Sequence, residues 1–180
     1  IHPLVFRCNV DYRNQSTWAC HENYGHRTNP ARLPDELIPH FVSRLIYSGA
    51  GGFNPFAAGV EFCLSPRAFF LGERISPHST HTRGIYHEKD ESLSAPGWHR
   101  MHVLCGESLC SHLGSFLKVG TTAVILALIE AGLSPRQSLR LRDPLAAMRR
   151  FTSDPTLQAT AGTDTGQQVS ALDIQHQYLG

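Results

Sequence analysis

Three short segments of this chain gather the side chains that do polar chemistry. The first is Cys20-His21-Glu22-Asn23-Tyr24, flanked by Trp18. Side chains alternate along a strand, so His21 and Asn23 would share one face, with Glu22 and Tyr24 on the other. An imidazole beside a carboxamide can bind a metal ion or a phosphate oxygen, and it serves equally well as a hydrogen-bonded structural histidine. The second is His99-Arg100-Met101-His102, running into Val103-Leu104-Cys105-Gly106-Glu107-Ser108. Arg100, His102 and Leu104 fall on one face of such a strand, and Met101, Val103 and Cys105 on the other. An arginine there needs a negative partner. Its planar fork suits a polyphosphate, and a structural ion pair with Glu107 or Asp90 is the competing reading. The third segment, Thr82-Arg83-Gly84-Ile85-Tyr86-His87-Glu88-Lys89-Asp90-Glu91, interleaves charges of both signs. That pattern reads as a solvated loop, or as a site where cations hold phosphates while carboxylates hold metal or position an amine.

Such segments need a scaffold, and the hydrophobic periodicity supplies one. Leu37, Ile38, Phe41, Val42, Leu45 and Ile46 recur at helical spacing behind Pro34-Asp35-Glu36, which predicts a helix over 35–47 with its apolar face in the core. The glycines of Ser48-Gly49-Ala50-Gly51-Gly52 lack the Gly-Lys-Ser/Thr of a P-loop, so a helix C-cap and turn is preferred over a phosphate cradle. Strands are expected over 3–8, in the alternating run Val60–Ser65, at Gly84–Tyr86 and from Trp98 to Gly106. Asn9–Thr17 reads as a polar loop. Phe116–Ala131 is apolar around nearly its whole circumference, which predicts a central buried helix with Gly132 just past its end. Arg136, Arg140, Arg142, Arg149 and Arg150 stud a short helical region around Pro144–Phe151 and read as a solvated basic face. Residues 159–168 are expected to form a loop or hairpin tip before a last helix over Ser170–Leu179. Strands interleaved with helices give an α+β or α/β domain.

Composition narrows the function classes. The 180 residues are 41% hydrophobic, enough for one substantial core. Charged residues are 17% with a net charge of +1, so no field recruits nucleic acid. The five cysteines are odd in number and none are spaced Cys-x-x-Cys, which argues against a disulfide framework or a structural zinc and for a reducing, cytoplasmic location. The apolar stretch Ala123–Ile129, bounded by Lys118 and Glu130, is read as short of the ~18–20 residues of a membrane span, so a soluble protein is expected. No signal peptide is visible, and the first residues read like the middle of a strand, as in part of a longer protein.

Several segments, taken in order, resemble the Pup ligase and Pup deamidase (depupylase) family. They are Cys20-His21-Glu22-Asn23-Tyr24, Phe41-Val42-Ser43-Arg44 with Gly49-Ala50-Gly51, Ser65-Pro66-Arg67-Ala68, Arg100-Met101-His102-Val103 with Gly106-Glu107-Ser108, Leu117-Lys118-Val119-Gly120-Thr121-Thr122, Ile129-Glu130-Ala131-Gly132 and Ser170-Ala171-Leu172-Asp173-Ile174-Gln175. They span about residues 9 to 179 at near-family spacing. The resemblance implies an α+β fold with a glutamine synthetase-like antiparallel sheet cradle packed with helices, residues 1–180 forming a partial catalytic domain. It implies ATP and Mg2+ as cofactors, with a Pup-like protein tag and lysine-bearing proteins as partners. By the same resemblance His21 and His102 are metal ligands and Arg100 contacts phosphate, with Arg83 and Lys89 as further nucleotide-binding cations.

The chain departs from the family where His87-Glu88-Lys89-Asp90-Glu91-Ser92 stands for Asn-Thr-Arg-Asp-Glu-Pro, and where Gly106-Glu107 stands for Gly-Asp. A lysine is a point charge without arginine's fork. The family's acidic metal-binding strand and aspartate base are not found and are expected upstream of the chain. Three readings follow from the resemblance: an ATP-dependent isopeptide ligase, a deamidase or depupylase, and a degenerate relative that binds tag or nucleotide without turnover.

Overall fold

The computed structural model describes residues 6–76, 83–88, 95–133 and 139–179. The chain opens with a small hairpin of β1 (Val10–Asp11) and β2 (Ser16–Thr17), where a polar loop was expected. Asp11 makes the turn, its carboxylate accepting the Arg13 and Asn14 amides at 2.9 and 3.2 Å. Of the strand expected over 3–8, residues 6–8 are irregular, and 3–5 lie outside the described residues.

The site strand β3 (Glu22–His26) follows, then a 3-10 turn at Pro30–Arg32 and the helices α1 (Leu33–Ser43) and α2 (Leu45–Ser48). The predicted single helix is thus two, jointed at Arg44, and Gly49 caps the second by donating to the Leu45 carbonyl at 2.8 Å. A second hairpin pairs β4 (Gly52–Phe53) with β5 (Phe62–Cys63). The strand expected over Val60–Ser65 shrinks to Phe62–Cys63: Val60 is 87% exposed, and beyond Cys63 the chain turns away, Leu64 donating to the Thr152 carbonyl. A 3-10 turn, Pro66–Phe70, leads to β6 (Glu73–Ser76), β7 (Gly84–Glu88) and β8 (His99–Val103).

The helix α3 (His112–Glu130) and the shorter α4 (Pro144–Thr152) precede a hairpin of β9 (Thr160–Gly162) and β10 (Gln168–Ser170), and α5 (Ala171–Leu179) ends the chain. The arginines about α4 are exposed as expected, and Arg140 pairs with Asp35 at 3.1 Å; Arg136 lies outside the described residues. A reciprocal cap starts α5: Ser170 donates its amide to the Asp173 carboxylate at 2.8 Å, and the Asp173 amide returns to Ser170 Oγ at 3.1 Å.

The central sheet has the order β3-β8-β7-β6. β3, β8 and β7 are antiparallel, as the resemblance implies, whereas the edge strand β6 joins β7 in parallel, a correction to an all-antiparallel sheet. Glu73-Arg74-Ile75-Ser76 carries a single apolar side chain, so no alternation marks it as a strand. One face of the sheet packs on the helices: Tyr24, Met101, Val103 and Tyr86 join Leu37, Phe41, Ile125 and Met148 in one core.

The expectation of a wholly buried central helix fails at α3. Lys118, Thr122, Ile125, Leu126 and Ile129 are buried, but Phe116 is 72% and Val124 56% exposed. Periodicity reports composition, and an all-apolar helix gives no sign of how much of its surface finds a partner. The helix is also, by length and composition, able to cross a membrane, contrary to the shorter reading, because apolar residues continue before Lys118. Its buried stripe lies against the domain, Lys118 Nζ donating to the Glu107 carbonyl at 2.7 Å. A Schellman arrangement ends it, Gly132 donating to Ile129 and Leu133 to Leu128 at 3.0 and 2.9 Å.

Candidate functional site

Strand register builds the site. Asn23 lies opposite His102 and His102 opposite His87, so the three share the sheet face turned away from the helices; Gly25 and Arg100 form the next row. His21, two residues before Asn23, reaches the same side, and its Nδ1 lies 3.1 Å from His102 Nε2. The alternation expected at both segments holds as far as Val103, where β8 ends short of the expected Gly106: Glu22, Tyr24, Met101 and Val103 are buried on the opposite face, and Leu104, expected beside His102, is buried too.

A hydrogen bond between two imidazoles needs one donor and one acceptor, so at least one ring is neutral. His21 is the ring driven that way, since burial, then Arg67 and His87, lowers its pKa below the usual histidine value. A neutral ring keeps one nitrogen lone pair, which here either accepts from His102 or, if Nδ1 donates, is left on Nε2. His87, not singled out in sequence, is the third imidazole. Its Nδ1–H donates to the Ser76 carbonyl, and its ring centroid is 5.8 Å from that of His102. Among the described residues no three histidine, cysteine or acidic side chains converge as a ready metal cage.

Arg100 is half-buried and reaches Asn23 Oδ1 through Nη1 at 3.4 Å, a long contact. Glu107, one candidate for a structural pair with Arg100, is engaged elsewhere. Its carboxylate accepts the amides of Ala50 and Arg67 at 2.8 and 3.0 Å; burial raises its pKa against those two bonds. Asp90 and Lys89 lie outside the described residues.

Arg67 was not foreseen as a site residue. It is 2% exposed, donates Nε and Nη2 to the Leu104 carbonyl at 3.0 and 2.7 Å, and gives Nη1 to Thr17 Oγ1 at 3.1 Å. Burial brings its pKa down to about 10, with Arg83 adding to the depression while Cys105 and Glu107 oppose it. Arg83 is half-buried just before β7. Arg83 thus lies within electrostatic reach of Arg67, and Arg67 within reach of His21. The signal for Arg67 was its place in Ser65-Pro66-Arg67-Ala68, but no local pattern says that this turn folds back beneath β8.

The inner face holds the site still. Glu22 takes both arms of Arg44, at 2.7 and 2.9 Å, and Arg44 Nη1 also donates to Thr122 Oγ1 and the Lys118 carbonyl at 2.7 and 3.0 Å. Burial works against the Arg44 charge, but Glu22 outweighs it and holds the pKa above the usual arginine value. Gly106 must be glycine, because a Cβ there would strike the Glu22 carboxylate and the Cys20 carbonyl.

The chain is thus a mixed α+β domain that clamps one face of its sheet to helices and carries imidazoles and Arg100 on the other. Comparison with known proteins makes this particular. The chain belongs to the Pup-ligase protein family, whose model matches residues 2–180. It is 36% identical to the Pup–protein ligase of Sanguibacter keddieii over 178 residues, and 37% identical to that of Gordonia bronchialis over 177. Each comparison covers 97% of this chain and 39% of the relative, so the chain spans about two fifths of their length. Among solved structures it superposes on the Pup ligase PafA in complex with ADP with TM-score 0.81 and 28% identity, covering 97% of this chain and 39% of that one. The complex between the ubiquitin-like protein Pup and its ligase PafA matches at 0.77 and 26%, over 95% and 35%. The α+β fold implied by the resemblance is thereby supported.

Proposed function

We propose that this chain is the nucleotide- and metal-binding part of an ATP-dependent isopeptide ligase that joins the C-terminal glutamate of a Pup-like tag to substrate lysines. The observation that carries this is the approach of His21 to His102 on the open sheet face, with Arg100 one row away, in a chain 36% identical to a Pup–protein ligase. The names of the relatives favour ligase over deamidase.

Residues 1–180 form a partial catalytic domain in this reading. Arg100, Arg83 and, outside the described residues, Lys89 are assigned to the nucleotide. His21 and His102 are assigned to Mg2+. Cis ligands ~2.1 Å from one octahedral ion stand about 3 Å apart, and magnesium commonly takes its other ligands from phosphates and water. The 3.1 Å between the two nitrogens fits that spacing. When bound, the ion would supply charge neutralisation on the phosphates. Arg100 and Arg83 would hold the phosphates, and ATP would supply the phosphoryl group that the tag's side-chain carboxylate takes up as ADP leaves, giving an acyl phosphate. The lysine amine then attacks the acyl carbon, inorganic phosphate leaves, and an isopeptide bond remains. Five cysteines without a disulfide suit a reducing cytoplasm, where we place the protein.

Titrating Mg-ATP by calorimetry into wild type and Arg100→Lys, with melting curves alongside, tests the assignment. Affinity is expected to fall about tenfold with an unchanged melting temperature, because an ammonium loses the bidentate contact. Unchanged affinity with a large melting shift would make Arg100 a structural residue and sink the reading.

A further inference from the structure

Away from the imidazole row, the segment before α4 gathers arginines at the opposite edge of the sheet. An isolated antiparallel bridge pairs Leu141 with Thr163. The Arg142 amide donates to the Gly162 carbonyl at 3.0 Å, and the Asp164 amide to the Arg140 carbonyl at 2.9 Å, so residues 140–142 run extended beside the β9–β10 hairpin. Side chains alternate along such a segment: Leu141 is buried, and Arg140 and Arg142 turn the other way, both exposed. There they meet Arg74 of β6 at a cavity of about 280 Å³ beside the first turn of α1, lined also by Asp35, Pro144 and Asp164 among others. In the order β3-β8-β7-β6 this edge is three strand spacings from β3, roughly 14 Å.

Three guanidiniums share the cavity with two carboxylates, Asp35 and Asp164, so positive charge is in excess among the described lining residues. Asp35 is divided between two partners, its Oδ1 taking Arg74 and its Oδ2 taking Arg140, the latter at 3.1 Å. Arg142 reaches the Thr163 carbonyl at 3.5 Å, a long contact. We propose that this cavity binds a phosphate-class oxyanion, inorganic phosphate or a small monoester, at a site separate from the nucleotide. Asp35 shows why a single carboxylate falls short, since its two oxygens are used up by two arginines and none is left for the third. A phosphate offers three or more oxygens in a tetrahedral arrangement, enough to meet each guanidinium. The volume lies just under the range of drug-sized sites, which suits a small ion with bridging water. Bound there, the anion would tie β6 and residues 140–142 to α1, the elements that Asp35 now joins.

Inorganic phosphate, acetate and Mg-ATP are titrated by calorimetry into wild type, Arg142→Gln and Asp35→Asn, with NaCl holding the ionic strength constant. Phosphate should bind wild type and acetate far more weakly. Arg142→Gln should weaken phosphate about tenfold, the scale of one charge-assisted contact, with Mg-ATP affinity and melting temperature unchanged. Asp35→Asn should tighten phosphate, because it releases two guanidiniums from their internal anion. A lower melting temperature in Asp35→Asn with no gain in phosphate affinity would make the arginines a structural ion-pair network and overturn the site. So would phosphate failing to bind wild type, binding Arg142→Gln equally well, or being matched by acetate. If Arg142→Gln weakens phosphate and Mg-ATP together, phosphate is reporting the nucleotide site and the inference falls. Failure of Mg-ATP alone to bind would count against the nucleotide reading and leave this site standing.

Discussion

Arg44 and Arg100 lie on opposite sides of the same pair of strands, and they live in opposite chemical worlds. Arg44 is 1% exposed and holds a bidentate carboxylate, a hydroxyl and a carbonyl. Arg100 is half-buried and makes a long, 3.4 Å bond to the neutral amide of Asn23. A guanidinium locked into a carboxylate has no capacity left for a ligand, and removing its partner strands a charge in low dielectric. A guanidinium at the surface of a sheet is not sealed off from water in that way. The inner face of β3 and β8 therefore stabilises the domain, whereas the outer face leaves Asn23 exposed and Arg100 half-buried.

If that division is right, substitutions on the two faces should separate by size and by readout. The largest effect is expected from Glu22→Ala, which strands Arg44 and should cost ~3–5 kcal/mol in denaturant unfolding. A cost near zero would mean that the inner clamp is ornamental. Next comes α3, where neighbouring residues should behave differently. Ile125→Ala, at 2% exposure, should cost ~2–5 kcal/mol through cavity formation, whereas Leu128→Ala, at 37%, should cost under about 1 kcal/mol. Equal costs would show that the outer stripe of α3 is covered in solution.

His40 sharpens the comparison through pH. It is fully buried, bonded to Thr122 Oγ1 at 3.0 Å, and burial, then Arg44, puts its pKa well below the ordinary 6.5. Between its folded and unfolded pKa values only the unfolded chain binds the proton. Its contribution is thus complete above about pH 6.5 and declines on acidification by ~1.4 kcal/mol per unit until the folded pKa is reached. Stability measured against pH should show that slope, and His40→Gln should flatten it. The smallest effect is expected at Asn23→Ala on the open face, within about 0.5 kcal/mol in unfolding. A large loss there would break the distinction between the faces.

Much of this was legible in the residues. Alternation alone placed His21 and Asn23 opposite Glu22 and Tyr24, and Arg100 with His102 opposite Met101 and Val103, because a strand's period of two is local geometry. The C-terminal end of α3 and the ends of α5 were equally readable, since caps depend on residues a few positions apart, whereas α3 begins four residues before the expected Phe116, at His112. Other features needed the tertiary structure because they join residues far apart in the chain. Pairing of β3 with β8 brings His21 to His102 across eighty-one positions, and folding of α1 onto the sheet gives Glu22 its arginine. Arg67 enters the site only because its turn tucks under the Leu104 carbonyl. The parallel strand β6 and the half-covered α3 escaped for a related reason. Sequence states which side chains could be buried, whereas neighbours in space decide which ones are.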